Sequence, residues 1–193
     1  DYAKGIRMRD RVLRHPEVSA CLKAPGLVEA AIVVKDPTFG VTWKLSPDKI
    51  VDPVAAVLSV KTTRNARPDI FTHDFFKFGY HMKEAIYRML LPHAGIEVRN
   101  TWMLAIETEG AGEIGFFNIP DVYLEDMGKP LALKYMERIA RALEADKWPG
   151  IPSGMVDLFP PFYAPQRVED ELGEAGRLGY EEALELGNDE VES

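Results

Sequence analysis

Val54-Ala55-Ala56-Val57-Leu58-Ser59-Val60 is apolar at every position but one. In an extended chain, successive side chains point to opposite faces, so a run like this is apolar on both. Both faces then need cover, and the stretch reads as a central buried strand rather than an edge. The surrounding pattern supplies the cover. Residues 7–22 carry apolar positions at Met8, Val12, Leu13, Val18 and Cys21 among bases, a helical pattern interrupted near Pro16. After the breaker Ala24-Pro25-Gly26, two further extended stretches, 27–35 and 40–51, flank a hairpin loop at Asp36-Pro37-Thr38-Phe39-Gly40. Asp52-Pro53 turns the chain into the central stretch, which runs over 54–62.

A long helix is expected over residues 71–91, with Tyr80, Ala85, Tyr87 and Leu91 turned inward and Pro92 and Gly95 ending it. Residues 99–108 and 113–119 read as a strand pair around Gly110-Ala111-Gly112, and 129–146 as an amphipathic helix with Pro130 in its first turn. Trp148 to Pro165 is proline-rich and loop-like. The order of elements implies an α/β domain: a central mixed sheet flanked by helices.

The 193-residue chain is long enough for one substantial core, and its net charge of −8 at first argues against a nucleic-acid partner. The distribution reverses that inference. Residues 166–193 hold ten acids against Arg167 and Arg177, which accounts for the whole excess; the remaining 165 residues carry 21 acids and 21 bases. A neutral body can still present a basic groove. The expected organisation is a domain over 1–165 and an acidic, mobile tail over 166–193. No apolar run is long enough to span a membrane, Asp1 to Arg14 is charged throughout rather than signal-like, and the lone Cys21 suits a reducing cytoplasm. The sequence opens on Asp1 rather than Met, so upstream elements are expected to be missing.

Three short pieces carry the chemistry. Ser46-Pro47-Asp48-Lys49-Ile50 falls on the second stretch, and Ser59-Val60-Lys61-Thr62-Thr63 ends the third. Gly79-Tyr80-His81-Met82-Lys83-Glu84-Ala85-Ile86-Tyr87 lies on the long helix. Positions 59 and 61 share one strand face, so Asp48 and Lys61 can converge from neighbouring strands. Carboxylates beside a lysine suit metal-assisted phosphodiester hydrolysis: hard oxygen ligands hold Mg²⁺, and the metal and the ammonium activate water and stabilise charge on the phosphate.

In order and placement, these pieces resemble the RecE-type (exodeoxyribonuclease VIII-like) branch of the PD-(D/E)xK nucleases over roughly residues 10–165. That branch has an arginine-Pro-Asp strand, an Asp-x-Lys-Thr-Thr strand and a Tyr-His-x-Gln-x-x-x-Tyr helix. Trp148-Pro149 and Pro160-Pro161-Phe162 further on fit the same pattern. The resemblance implies a restriction-endonuclease-like core, Mg²⁺ or Mn²⁺ as cofactor, and duplex DNA ends as substrate in recombination or repair, in a phage or prophage setting. A single-strand annealing protein and further copies of the chain are the partners found among relatives. Carried over residue by residue, it makes Glu29 and Asp48 metal ligands, Lys61 the lysine at the nucleophile or scissile phosphate, and Tyr87 the tyrosine lining the site.

Two positions depart from the pattern: Ser59 stands where an acidic ligand is expected, and Lys83 where Gln is expected. Ser46 in place of Arg is a lesser departure, and the histidine-bearing segment of relatives has no counterpart. Losing an acid and gaining an ammonium weakens metal binding, and Lys83 is free to pair with Asp48 or Glu29. On this reading Ser59→Asp together with Lys83→Gln restores the site. Some restriction enzymes of the superfamily instead supply the missing carboxylate from the following helix; Glu84 is the nearest candidate and Asp74 the second. Lys83 and Glu84 are about 100° apart on a helix, so only one of them is expected to face the site.

Each residue also has a plainer reading. Asp48 can cap a turn, Glu29 can be a surface carboxylate, and Tyr80 and His81 suit packing. Arg64 and Arg67 suit phosphate contact or a solvated loop equally. Phe71, Phe75, Phe76 and Phe78 read as core, a DNA wedge being the alternative, and His15, His73 and His93 lack the neighbours of a zinc site. Two non-enzymatic readings stay open beside the nuclease: an inactive DNA-binding or assembly partner, and an interaction domain acting through its acidic tail.

Overall fold

The computed structural model describes residues 2–148, together with Gly150 and Met155. Two compact units divide the chain, Asp1–Lys147 and Trp148–Ser193. The first is described below; Pro160-Pro161-Phe162 and the acidic tail lie outside the described residues.

Helices α1 (Tyr2–Arg14) and α2 (Pro16–Lys23) are separated at His15, whose Nδ1 accepts from the Val18 N–H while Pro16 opens α2. Strands β1 (Ile32–Lys35) and β2 (Thr42–Leu45) form a two-stranded antiparallel sheet of their own. The buried Asp36 closes their loop, its carboxylate accepting from Thr38 and Phe39 N–H at 2.9 and 3.0 Å. The main sheet has the order β3 (Lys49–Val51), β4 (Ala56–Thr63), β5 (Asn100–Glu107), β6 (Ile114–Asn118). β4 and β5 are parallel and the outer pairs antiparallel, so the sheet is mixed.

The apolar stretch is indeed an interior strand covered on both faces. Ala56 and Leu58 pack with Val12 and Val18 of the N-terminal helices. On the opposite face Val57 meets Tyr87 and Leu90 of α4 (Tyr80–Leu90) and Met136 of α5 (Lys129–Ala145). Ser59 and Lys61 alternate with Val60 and so project toward α4.

Four expectations are corrected. Residues 40–51 are not one strand: the chain leaves β2 at Ser46-Pro47 and re-enters the main sheet at Lys49, so Asp48 precedes β3 rather than lying on a strand. Residues 27–31 are not in a strand either; Val28 makes a single bridge to Lys49, and Glu29 has φ +49°. The central strand begins at Ala56, because Asp52–Val54 forms a 3₁₀ turn. The long helix is two, α3 (Pro68–Lys77) and α4, broken at Gly79, whose φ of +68° no helical residue adopts.

A π-helical turn, Tyr123–Gly128, leads into α5 and packs on α4. Any Cβ at Gly128 would collide with the His81 carbonyl oxygen and crowd Ala85 Cβ. Gly128 has helical φ and ψ, so on propensity alone alanine there would stabilise. The close approach reverses that sign. Gly128→Ala should cost about 3 kcal/mol, the upper end for overpacking. Gly79→Ala, which meets only Met82 Cε, should cost about 1–2 kcal/mol from backbone strain alone. Chemical denaturation of the two variants checks the order; a neutral Gly128→Ala would contradict the packing.

Candidate active site

Within the main sheet β3 pairs with Ala56–Leu58, and β4 runs on past it. Had the ladder continued, Pro47 would oppose Val60, but the chain has already turned away. The Val60 N–H is satisfied by a side chain instead, donating to Asp48 Oδ2 at 2.6 Å. A hydrogen bond to a charged acceptor contributes about 1.5–3 kcal/mol. The same Asp48 oxygen lies 3.7 Å from Lys61 Nζ. That ammonium also donates to the Val60 carbonyl at 3.1 Å and stands 5.6 Å over the Tyr80 ring. The structure thus brings Asp48 and Lys61 together at the rim of the sheet, both partly exposed.

Beneath them the α4 face of β4 is polar at one point. Ser59, fully buried, donates to Glu84 Oε1 at 2.7 Å. Lys83 Nζ lies 3.3 Å from Ser59 Oγ and 3.4 Å from Glu84 Oε1, and 4.8 Å over the Tyr87 ring. The serine hydroxyl is therefore a relay, accepting from Lys83 and donating to Glu84. Tyr87 donates its hydroxyl to the Ser46 carbonyl at 2.9 Å, tying α4 to the segment that carries Asp48.

Lys83 and Glu84 both face the site, contrary to the one-or-the-other expectation. Helical angle separates their Cβ atoms, but Glu84 points straight onto β4 while the four-carbon stem of Lys83 curls back from the flank. Glu84 shares the buried face of α4 with His81 and Ala85.

Glu84 is without solvent exposure, and its Oε2 has no partner among the described residues. Burial pushes its carboxyl above the ordinary range, against the opposing pull of Lys83, the Ser59 hydroxyl and Lys61. Lys61 is pushed down, first by burial and then by the neighbouring Lys83 ammonium, with Asp48 and Glu84 opposing. Burial also pulls on Lys83, but Glu84, Tyr87 and Asp48 outweigh it and hold that ammonium above its usual value. Of the two lysines, Lys61 gives up its proton more readily.

The other candidates are placed less centrally. Glu29 is exposed; its backbone N–H donates to the Asp48 carbonyl at 3.1 Å, and its carboxylate makes no ion pair among the described residues. Arg67 precedes α3 and pairs with Asp69 at 3.2 Å on the open surface. Arg64 and Asp74 line an adjoining cavity. The cluster of Asp48, Glu84, Lys61 and Lys83 carries two formal charges of each sign. Among the described residues no three His, Cys, Asp or Glu side chains come together to hold a metal. A divalent cation needs several oxygen ligands, and here an ammonium lies against the buried carboxylate. As they stand, these residues do not fit the Mg²⁺ or Mn²⁺ that the sequence resemblance implies.

The folded protein holds the Glu84 proton more tightly than the unfolded chain does. Its contribution to stability is therefore fully present in acid and is lost as pH rises through and above the ordinary carboxylate value of about 4.3. Glu84→Gln keeps an acceptor for the Ser59 hydroxyl and removes the titration. The melting temperature of this variant relative to the parent should climb between about pH 4 and pH 7 by scanning calorimetry. A flat or falling difference would show that the Lys83 pairing outweighs the burial.

Comparison with known proteins places the fold. No curated protein matches the chain. Among solved structures, a protein from Eubacterium rectale provisionally named an exonuclease superposes with a TM-score of 0.61 at 16% identity, over 90% of this chain and 66% of its own. The chain thus spans just under two thirds of that protein, and at this identity the likeness is one of fold. A phage-related exonuclease from Haemophilus somnus 129PT superposes more loosely, with a TM-score of 0.41 at 12% identity over 74% of this chain and 73% of its own. The profile of a PDDEXK-like domain of unknown function, DUF3799, matches residues 1–159, the greater part of the sequence and all of the sheet. The chain belongs to that PDDEXK-like family.

Proposed function

We propose that this chain is a RecE-type domain that engages duplex DNA ends in recombination or repair, with the metal position of its site held by its own Lys83. It then cleaves slowly or not at all. The observation that carries this reading is the triangle of Ser59, Glu84 and Lys83 beneath the Asp48–Lys61 pair. Family membership supports DNA as the substrate class. The relatives' single-strand annealing protein and self-association belong to the same proposal, as does a phage or prophage setting. Among the described residues no helix is long and apolar enough to cross a membrane.

In this reading Asp48 and Lys61 face a phosphate at the rim. Lys61 supplies a positive charge to its oxygens, and the partly exposed Asp48 orients the ammonium. Glu84 is shut away beneath, and Lys83 balances its charge. A second reading keeps full activity and rests on one observation: the Glu84 carboxylate meets the Ser59 hydroxyl, where an acid at position 59 would extend.

The structure revises the substitution that sequence alone recommends. Ser59→Asp would put a second carboxylate within hydrogen-bond reach of Glu84, in a place with no solvent, and one of the two would stay protonated. Lys83→Gln alone should suffice, since it frees the carboxylate already present. By calorimetry the parent should bind Mg²⁺ or Mn²⁺ only weakly, and Lys83→Gln should bind at least about tenfold tighter than the parent. Ser59→Asp should lower the melting temperature without that gain. Robust Mg²⁺-dependent digestion of linear duplex by the unmodified protein would overturn the lysine-held site and favour the second reading.

A further inference from the structure

A cavity of about 480 Å³ opens where β4 ends, against α3 and the α3–α4 elbow. Its size falls within the range of about 300–1,000 Å³ typical of small-ligand clefts. Arg64, Asp74, Lys77, Phe78 and Tyr80 are among its walls, with Thr62 and Thr108 adding hydroxyls. Tyr80 is shared: it lines this cavity and also lies under the Lys61 ammonium. The cavity therefore begins where the Asp48–Lys61 site leaves off.

Its chemistry is specific. Phe78 is 57% exposed, a large apolar ring left in water. It sits at the C-cap of α3, directly before the left-handed Gly79, so the break between helices is what turns it outward. The Tyr80 ring lies 5.9 Å away at 42°, and Lys77 Nζ stands 5.6 Å over Phe78. Among the described residues neither Arg64 nor Lys77 pairs with a carboxylate. Two cations without carboxylate partners, one of them against an exposed aromatic ring, suit a nucleotide: base stacking is tolerant of sequence, and cations track the backbone. Asp74 is the one acid in the wall. It repels a phosphate on its own side, which leaves Arg64 and Lys77 for the backbone and its carboxylate for an exocyclic amine of a base.

We infer that this cavity is a subsite for one unpaired nucleotide of single-stranded DNA, its base on Phe78 and its phosphate between Arg64 and Lys77. The inference rests on the DNA-end reading above and deepens it: the end engaged is one that carries a single-stranded extension, held beside Lys61.

Fluorescence anisotropy with a labelled blunt duplex, the same duplex with a short oligothymidylate extension of either polarity, and one with an abasic extension tests it. The parent should bind one tailed polarity about tenfold tighter than blunt duplex, the value of roughly one stacked base. The abasic extension should lose most of that preference. Phe78→Ala, a surface change whose melting temperature should match the parent, should abolish the preference and leave blunt-duplex binding unchanged. Arg64→Gln should weaken the tailed complex and lower its salt dependence by about one phosphate contact. Equal binding of blunt and tailed DNA by the parent, or a preference that survives Phe78→Ala, would overturn the subsite and leave DNA-end binding standing. Binding of none of the DNAs would overturn both.

Discussion

Glu84 is a carboxylate with nowhere to go. It is fully buried at the contact between α4 and the central strand, and everything around the site is arranged by the need to satisfy it. An isolated charge in that position would be prohibitively costly, so it must be protonated, hydrogen-bonded or paired. Ser59 donates to it, Lys83 lies against it, and burial favours its protonated form. An acid at position 59 would have made the same contact repulsive. Serine on the strand and lysine on the helix are thus mutually consistent choices around one buried group, not two unrelated losses.

That consistency gives the site its character. Asp48 and Lys61 sit at the rim with partial access to water, whereas Glu84 and Lys83 make a lower layer in which the acid is sealed off. The pKa directions follow the layering. The rim lysine is pushed down and the lower lysine up, although burial lowers both, because Glu84 and Tyr87 favour the Lys83 ammonium strongly while Lys83 itself repels that of Lys61. On the PDDEXK-like scaffold, the four charged groups at the centre balance one another, two of each sign.

How much of this could be read beforehand depended on the length scale of the signal. The two-faced apolar strand, the β5–β6 pair and α5 were legible because each rests on a local pattern of eight or more residues or on turn chemistry at a known place. The separate β1–β2 sheet was not: Ser46-Pro47 marks a break, but nothing local says that the chain changes sheets there. The Gly79 break was hidden because apolar residues continue across it, from Phe75 and Phe76 to Tyr80. At the site, strand alternation placed Lys61 on the α4 face, but Asp48 meets it from the turn before β3 rather than from a neighbouring strand. The joint arrival of Lys83 and Glu84 did not, because a helical wheel treats side chains as spokes of equal length. One turned inward and short, the other lateral and long, still reach the same hydroxyl.

The brevity of β3 reaches beyond the site. By stopping opposite Leu58, it leaves the outer flank of β4 as a sheet margin beyond that point, closed at Val60 only by the Asp48 carboxylate. Unpaired strand margins are templates for adding a foreign strand, and natural proteins guard them with charge or by turning the chain away. Asp48 does the first and Pro47 accompanies the second. The acid at the rim of the site therefore also closes the sheet margin, so a change at Asp48 touches the edge of β4 as well as the Lys61 ammonium.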